Sequence, residues 1–262
     1  MQSLILTALR GYGYTESVAK LQSKHGTMLR ILRPVPADQI KLLIFDLDGT
    51  LVDSRVDLAN SINATLRNYD RPELPSDRIA QYIGDGAPTL VRRSLGFKDD
   101  HSLEPKDEEF IEDALVFFLE YYRDHKLDNT YVYDGVIEAL QKIGGKNGSL
   151  RTMTVLSNKP VNPSRAIVQA LGLKDFFTAV YGGNSFETKK PDPLGVKILL
   201  KETGAAAAQT MIVGDSSVDM LTAKNAGIWS CGVTYGLSPE TLRKFPGDVM
   251  VDSPSEWVEL LG

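Results

Sequence analysis

The sequence predicts an α/β fold: a parallel sheet covered by helices, with a helical cap inserted after the first core strand. Three observations carry this. Short apolar runs alternate with helical patterns over most of the chain, a segment of about seventy residues behind the first run holds no strand pattern, and several runs end abruptly in polar and glycine residues.

The first run, Lys41 to Phe45, ends in Asp46-Leu47-Asp48-Gly49-Thr50, as buried strands do. Runs of the same character follow at Thr152 to Leu156, Ala179 to Tyr181, Met211 to Val213, Ile228 to Val233 and Val249 to Val251. Helical patterns at Val136 to Ile143, Ser164 to Leu171, Leu194 to Glu202, Val218 to Ala226 and Ser255 to Leu261 separate them. Strands alternating with helices make a parallel sheet buried on both faces. Within the strandless segment, Leu58, Ile62, Leu66 and Tyr69 recur at helical spacing, as do Phe110, Ala114, Phe117, Phe118 and Tyr121 behind Pro105. Leu90 and Leu95 do so less cleanly. The expected organisation is an N-terminal extension of unknown role over 1–40, a core over 41–56 and 132–262, and a helical cap over 57–131. Hinges are expected near Ser54 to Asp57 and Asn129 to Asp134, and the Gly144 to Ser149 and Ala205 to Ala208 stretches read as links.

Length and composition narrow the class. A chain of 262 residues suits one sizeable domain with an insertion, or two modest domains. It is 42% hydrophobic and 24% charged, as globular proteins are, and no apolar run approaches the roughly 18 residues of a membrane span. A net charge of −5 without a block of Lys or Arg gives no attraction for nucleic acid, so neither nucleic acid nor membrane is an expected partner. The single Cys231, in an apolar run, reads as a buried structural thiol, and His25, His101 and His125 lack metal-ligand spacing. Met1 to Pro36 carries five Lys or Arg against one acid, Glu16, faintly like an organellar transit peptide, but without a convincing cleavage site. The expected reading is an accessory extension packed on the domain, or a misassigned start codon, in a cytoplasmic protein.

In an open parallel sheet the ligand crevice lies beyond the carboxyl ends of the strands, where loops and helix N-termini converge. Asp46 and Asp48 fall there after the first strand, Ser157 after the run ending in Leu156, Asp215 after Val213-Gly214, and Lys190 ahead of the helix starting near Asp192. Any one of these alone is ordinarily a helix cap. Together they bring carboxylate oxygens, a hydroxyl and an ammonium of complementary chemistry to one crevice, which a set of unrelated caps does not explain.

The stretch Asp46-Leu47-Asp48-Gly49-Thr50-Leu51-Val52-Asp53-Ser54 resembles the first motif of haloacid dehalogenase superfamily phosphatases. Leu156-Ser157-Asn158-Lys159-Pro160 is similar to the second, Lys189-Lys190-Pro191-Asp192-Pro193 to the third, and Gly214-Asp215-Ser216-Ser217-Val218-Asp219 to the fourth, in the family order. The resemblance runs from about Lys41 to the C-terminus, and the branch it most resembles is that of phosphoglycolate phosphatases. It implies a Rossmann-like core, Mg²⁺ as cofactor, and a small phosphorylated substrate hydrolysed through an aspartyl-phosphate by a monomer or homodimer. In that scheme Asp46 is the nucleophile and Asp48 the acid/base, while Ser157 and Lys190 hold the transferring phosphoryl oxygens. Asp46, Asp215 and the backbone carbonyl of Asp48 would hold the metal, with Asp219 behind them, and Thr50 and Asn158 would join the substrate contacts. In the cap, Tyr82 to Ala87 followed by Leu90 to Leu95 resembles the Gly-x-Gly loop and next helix of phosphoglycolate phosphatases. Gly84 and Gly86 would let backbone approach a small ligand, and Arg92 or Arg93 would pair with the carboxylate of 2-phosphoglycolate; solvated arginines are the competing reading.

A phosphosugar mutase or an inorganic pyrophosphatase of the superfamily would keep all four motifs. A haloacid dehalogenase proper has no use for the Asp48 acid/base, and a phosphonate hydrolase needs a cap lysine where this cap offers Arg92 and Arg93. A phospho-receiver module lacks both an acid two residues past its nucleophile and a helical cap, and an inactive binding protein would not need every motif residue intact.

Overall fold

The computed structural model describes residues 19–22, 28–98, 103–144 and 151–262. The transit-like stretch before residue 19 and most of the Gly144 to Ser149 link lie outside the described residues. Strands β1 (Ala19–Gln22) and β2 (Met28–Ile31) precede β3 (Leu42–Phe45), the run expected to open the core. After the cap come β6 (Thr152–Leu156), β7 (Ala179–Tyr181), β8 (Thr210–Gly214), β9 (Trp229–Val233) and β10 (Val249–Val251). They form one sheet in the order β1-β2-β10-β9-β8-β3-β6-β7, parallel from β10 through β7 and antiparallel where β2 joins.

The central strand β3 shows why both faces are covered. Leu43 and Phe45 pack into a cluster with Val136, Leu140 and Ile143 of α5 (Val136–Gly144), Ile167 of α6 (Val161–Ala170) and Trp257 of α9 (Ser255–Leu261). Leu42 and Ile44 point the other way, toward Val196 and Leu199 of α7 (Leu194–Thr203) and Ala223 of α8 (Ser217–Ala226). A period of two with apolar residues on both phases is what a doubly covered strand requires.

Part of the N-terminal extension is a strand of this sheet. Parallel pairing with β9 leaves the outer edge of β10 open, and β2 closes it, with Ile31 opposite Val249 and Arg30 opposite Met250. Leu29 is buried, Arg30 donates to Asp252 at 2.7 Å, and Arg33 pairs with Asp248 at 2.7 Å while lying over the Trp229 ring.

The inserted segment is helical, with α1 (Arg55–Asn68), α2 (Ser76–Ala80), α3 (Ala87–Ser94) and α4 (Pro105–His125). It has its own core of Leu58, Ile62, Leu66, Ile79, Val91, Ile111 and Phe118, distinct from both sheet clusters. The chain crosses to the cap and back through a two-stranded antiparallel ribbon, β4 (Val52–Asp53) against β5 (Tyr131–Val132). Beside it Asp57, 1% exposed, accepts hydrogen bonds from the backbone and side-chain amides of Asn129 and from the N–H and hydroxyl of Thr130, at 2.7–3.0 Å. The two segments expected as hinges are thus tied to each other. No described helix is long and apolar enough to cross a membrane.

Candidate active site

Asp46 leaves the carboxyl end of β3, where its backbone N–H donates to Val213 of the neighbouring strand at 2.9 Å. Asp215 follows β8 on that neighbour, and Asp219 stands in the first turn of α8. Lys190, ahead of α7, reaches both: its ammonium lies 3.0 Å from Asp46 Oδ1 and 2.6 Å from Asp219 Oδ1. Asp219 Oδ2 meanwhile accepts from the Ser216 hydroxyl at 2.8 Å and the Ser216 N–H at 3.2 Å, so this carboxylate also caps its own helix. Asp215 Oδ2 accepts from the N–H groups of Leu237 and Ser238 at 2.6 and 3.1 Å. Two glycines let these groups crowd together: a Cβ on Gly49, at φ +84°, would meet Asp215 Oδ2 at 2.1 Å, and one on Gly214 would meet Asp219 Cγ at 2.1 Å.

One oxygen from each of Asp46, Asp215 and Asp219 can be chosen so that all lie within 4.8 Å of one another, and all three residues are buried. Burial raises the Asp46 carboxyl from 3.8 to about 6, with Lys190 opposing the rise and Asp219 adding to it. Asp215 is raised well above its ordinary value, by burial first and then by Asp219 and Asp46. Burial works against the charge on Lys190, but Asp219 and Asp46 outweigh it and the ammonium is held more firmly. Three buried carboxylates facing one ammonium leave negative charge uncompensated, and a donor set made only of oxygen fits a hard divalent cation. Asp219, with both oxygens engaged by Lys190 and Ser216, fits a place behind the metal ligands.

Asp48 points from the same loop into different company. Its Oδ1 accepts from the Ser54 hydroxyl at 2.6 Å, and the Lys159 ammonium donates to its two oxygens at 3.1 and 3.0 Å. Lys159 is buried and sits 4.6 Å from the ring centre of Tyr122 on α4. Burial opposes the charge on Lys159, yet Asp48 outweighs it and the pKa rises. Ser157 is buried beside them, its hydroxyl accepting from the Lys159 N–H at 3.3 Å. Lys159 and Ser54 were not among the expected site residues, although both stand within the quoted motif stretches. A positive charge two residues past Ser157 at the end of a buried strand was the available signal.

A cavity opens over these groups. Asp46, Asp48, Ser157, Asn158 and Lys159 line its core side, and Leu58, Ile83, Leu90, Phe118 and Tyr122 line its cap side together with Gly84 and Gly86. The Asn158 amide donates to the carbonyls of both Gly84 and Lys190 at 3.0 Å, and Lys189 donates to the Asp85 carbonyl, so the second and third motifs fasten the cap loop.

The two cap arginines lie apart from these groups. Neither Arg92 nor Arg93 lines the cavity, and Arg93 pairs with Asp85 at 2.7 Å. Helix α3 turns Ala87 and Leu90 to the cavity, and at 100° per residue Arg92 stands about 200° round the helix from Leu90. Thr50 is fully buried and absent from the lining, its carbonyl accepting from the Tyr235 hydroxyl at 3.0 Å. Lys190 is likewise behind Asp46 and not at the cavity wall.

A family model for haloacid dehalogenase-like hydrolases matches residues 43–233. The chain is 38% identical over 199 residues to a phosphoglycolate phosphatase of Pseudomonas syringae, covering 75% of this chain and 70% of the relative. It is 33% identical over 222 residues to a phosphoglycolate phosphatase of Rhodospirillum rubrum, covering 85% of this chain and 91% of the relative. Among solved structures, a protein of Haemophilus somnus described as a predicted phosphoglycolate phosphatase superposes with a TM-score of 0.75 at 27% identity, over 86% of this chain and 99% of its own.

Proposed function

The chain belongs to the haloacid dehalogenase-like hydrolase family, and from that premise we propose that it is a phosphomonoesterase acting on 2-phosphoglycolate through an aspartyl-phosphate on Asp46. The carrying observation is the arrangement of two carboxylates from one loop in unlike surroundings: Asp46 among Lys190, Asp215 and Asp219, and Asp48 at the cavity wall against Ser54 and Lys159.

Asp46 attacks phosphorus, and the bond from phosphorus to the ester oxygen breaks as Asp48, which enters the cycle as the carboxylic acid, gives that oxygen its proton. Water then attacks the same phosphorus, Asp48 takes its proton, and inorganic phosphate leaves with Asp46 restored. Ser157, at the cavity wall, supplies a hydroxyl for the phosphoryl oxygens. Lys190 keeps Asp46 and Asp219 in place from behind, which departs from the direct phosphoryl contact implied by resemblance. Asp46, Asp215 and the Asp48 carbonyl would hold Mg²⁺, with Asp219 behind them. When bound, the cation supplies the positive charge that lets a carboxylate approach a dianionic phosphate.

The cap side of the cavity supports a small substrate. Its side chains are largely apolar, and a sugar phosphate would leave hydroxyl groups without partners there. Two further features support hydrolysis over a receiver role, namely the acid at Asp48 and the closed cap. The test is a panel of 2-phosphoglycolate, 3-phosphoglycerate, sugar phosphates, pyrophosphate and p-nitrophenyl phosphate, with Mg²⁺ and with chelator. We expect the highest kcat/KM for 2-phosphoglycolate and none without the metal. A preference for sugar phosphates or pyrophosphate refutes the substrate, and turnover indifferent to chelator refutes the metal.

A further inference from the structure

With Arg92 and Arg93 off the cavity lining, a substrate carboxylate has no arginine beside it there. Among the described residues lining the cavity, one side chain is cationic, and it is Lys159. We propose that Lys159 reads the second anionic group of the substrate, making the site selective for small phosphorylated carboxylic acids; this rests on the phosphatase reading above.

The placement follows from the chemistry of the ester. The acid that protonates the leaving oxygen must touch that oxygen, and Asp48 is that acid. Lys159 touches both oxygens of Asp48, so its ammonium stands one hydrogen bond farther out, on the leaving-group side. In a two-carbon phosphorylated acid the carboxyl carbon is two bonds from the ester oxygen, which brings the carboxylate to this position. An ammonium has three N–H donors; Asp48 engages at most two of them, and the third is turned toward Tyr122, whose buried hydroxyl has no other partner, so a ligand carboxylate takes that donor in competition with a neutral phenol. The Tyr122 ring and the apolar cap residues Leu90 and Phe118 keep water from the same spot, which strengthens a charged contact there. A longer or uncharged leaving group would meet the apolar wall without engaging the ammonium. Selectivity thereby falls to a core residue next to the reaction centre, while the cap supplies shape and dryness.

The experiment compares 2-phosphoglycolate with ethyl phosphate, which has the same two carbons and a similarly poor leaving group but no carboxylate. The quantity read is the ratio of their kcat/KM values in the Mg²⁺-loaded enzyme, in wild type, Lys159→Met and Lys159→Arg. A loss common to both substrates, through misfolding or a displaced Asp48, cancels in the ratio. We expect Lys159→Met to lower the ratio by at least about thirtyfold, the loss that follows removal of one partner from a desolvated charge pair. Lys159→Arg should recover part of it. An equal loss on both substrates in Lys159→Met overturns the inference and makes Lys159 a support for Asp48. So does a fall in the ratio in Arg92→Ala or Arg93→Ala that Lys159→Met does not share. A wild-type preference for ethyl phosphate over 2-phosphoglycolate and 3-phosphoglycerate likewise overturns the inference, whereas failure of the phosphatase reading is distinct: Mg²⁺-loaded wild type then hydrolyses neither ester.

Discussion

Replacing Asp57 with alanine should separate the cap from the core in an unfolding experiment. Thr130 is 6% exposed, so its N–H and hydroxyl would lose their acceptor with little access to water, at about 1–3 kcal/mol each. Asn129 is exposed, and water can replace what its two donors lose. Losing an acid from the first turn of α1 adds about 0.3–1 kcal/mol. These losses share one carboxylate and will not add fully, so about 3 kcal/mol is expected. For a helical unit the size of the cap that lowers its melting by about 10 °C or more. Both tryptophans, Trp229 on β9 and Trp257 on α9, belong to the core, so their fluorescence is blind to the cap while far-ultraviolet circular dichroism sees its helices. In wild type the two signals should melt together; in Asp57→Ala the dichroism should fall first. Asp57→Asn should lie between, since an amide oxygen still accepts. If both signals in Asp57→Ala overlay the wild-type curve, the carboxylate is not what couples cap to core.

Three other expectations concern chemistry, the extension and pH. Asp46→Asn should carry no phosphoryl group from labelled substrate, whereas Asp48→Asn should still be labelled by p-nitrophenyl phosphate and release phosphate slowly; label on another residue in the Asp48 variant would exclude the scheme. Deleting residues 1–38 should preserve kcat while promoting association, because it strips β2 from β10 and removes Leu29, Arg30 and Arg33; a folded, monomeric, inactive product would place the extension in the site. The raised Asp46 carboxyl binds its proton more tightly folded than unfolded, so its contribution is fully present below 3.8 and lost as pH climbs through about 6. Metal-free protein should therefore lose about 3 kcal/mol over that window, and Asp46→Asn should lose less; parallel pH profiles for the two proteins would sink the assignment.

What could be read in advance divides along physical lines. The core strands were legible because each is a contiguous apolar run, and Asp46, Ser157 and Asp215 stand directly past such runs, whereas Lys190 and Asp219 belong to the approach and first turn of the following helices. The strand β2 was not legible, since it is four residues long and its partner lies far along the chain. For Arg92 or Arg93 the residue type is visible in the sequence and the surroundings are not: with Ala87 and Leu90 packing inward Arg92 falls on the far side of the helix, while Arg93, about 60° from Leu90, is held by Asp85 at 2.7 Å. Lys159 was overlooked for a related reason: its partner Asp48 is 111 residues away, and only the closed sheet brings them together.

The β4–β5 ribbon has a consequence for how such a chain can change. Adjacent antiparallel strands lie about 4.8 Å apart, so the points where the chain departs and returns are neighbours. Seen from the sheet, the whole inserted segment is a long excursion that ends where it began, and the entropy of closing it grows only with the logarithm of its length. A hairpin turn of about two to five residues would satisfy the same two strand ends. Lengthening, shortening or exchanging the excursion therefore leaves Asp46, Lys190, Asp215 and Asp219 where they are. With Lys159 carried on the loop between β6 and α6, a new lid would inherit a taste for acids that it did not itself encode.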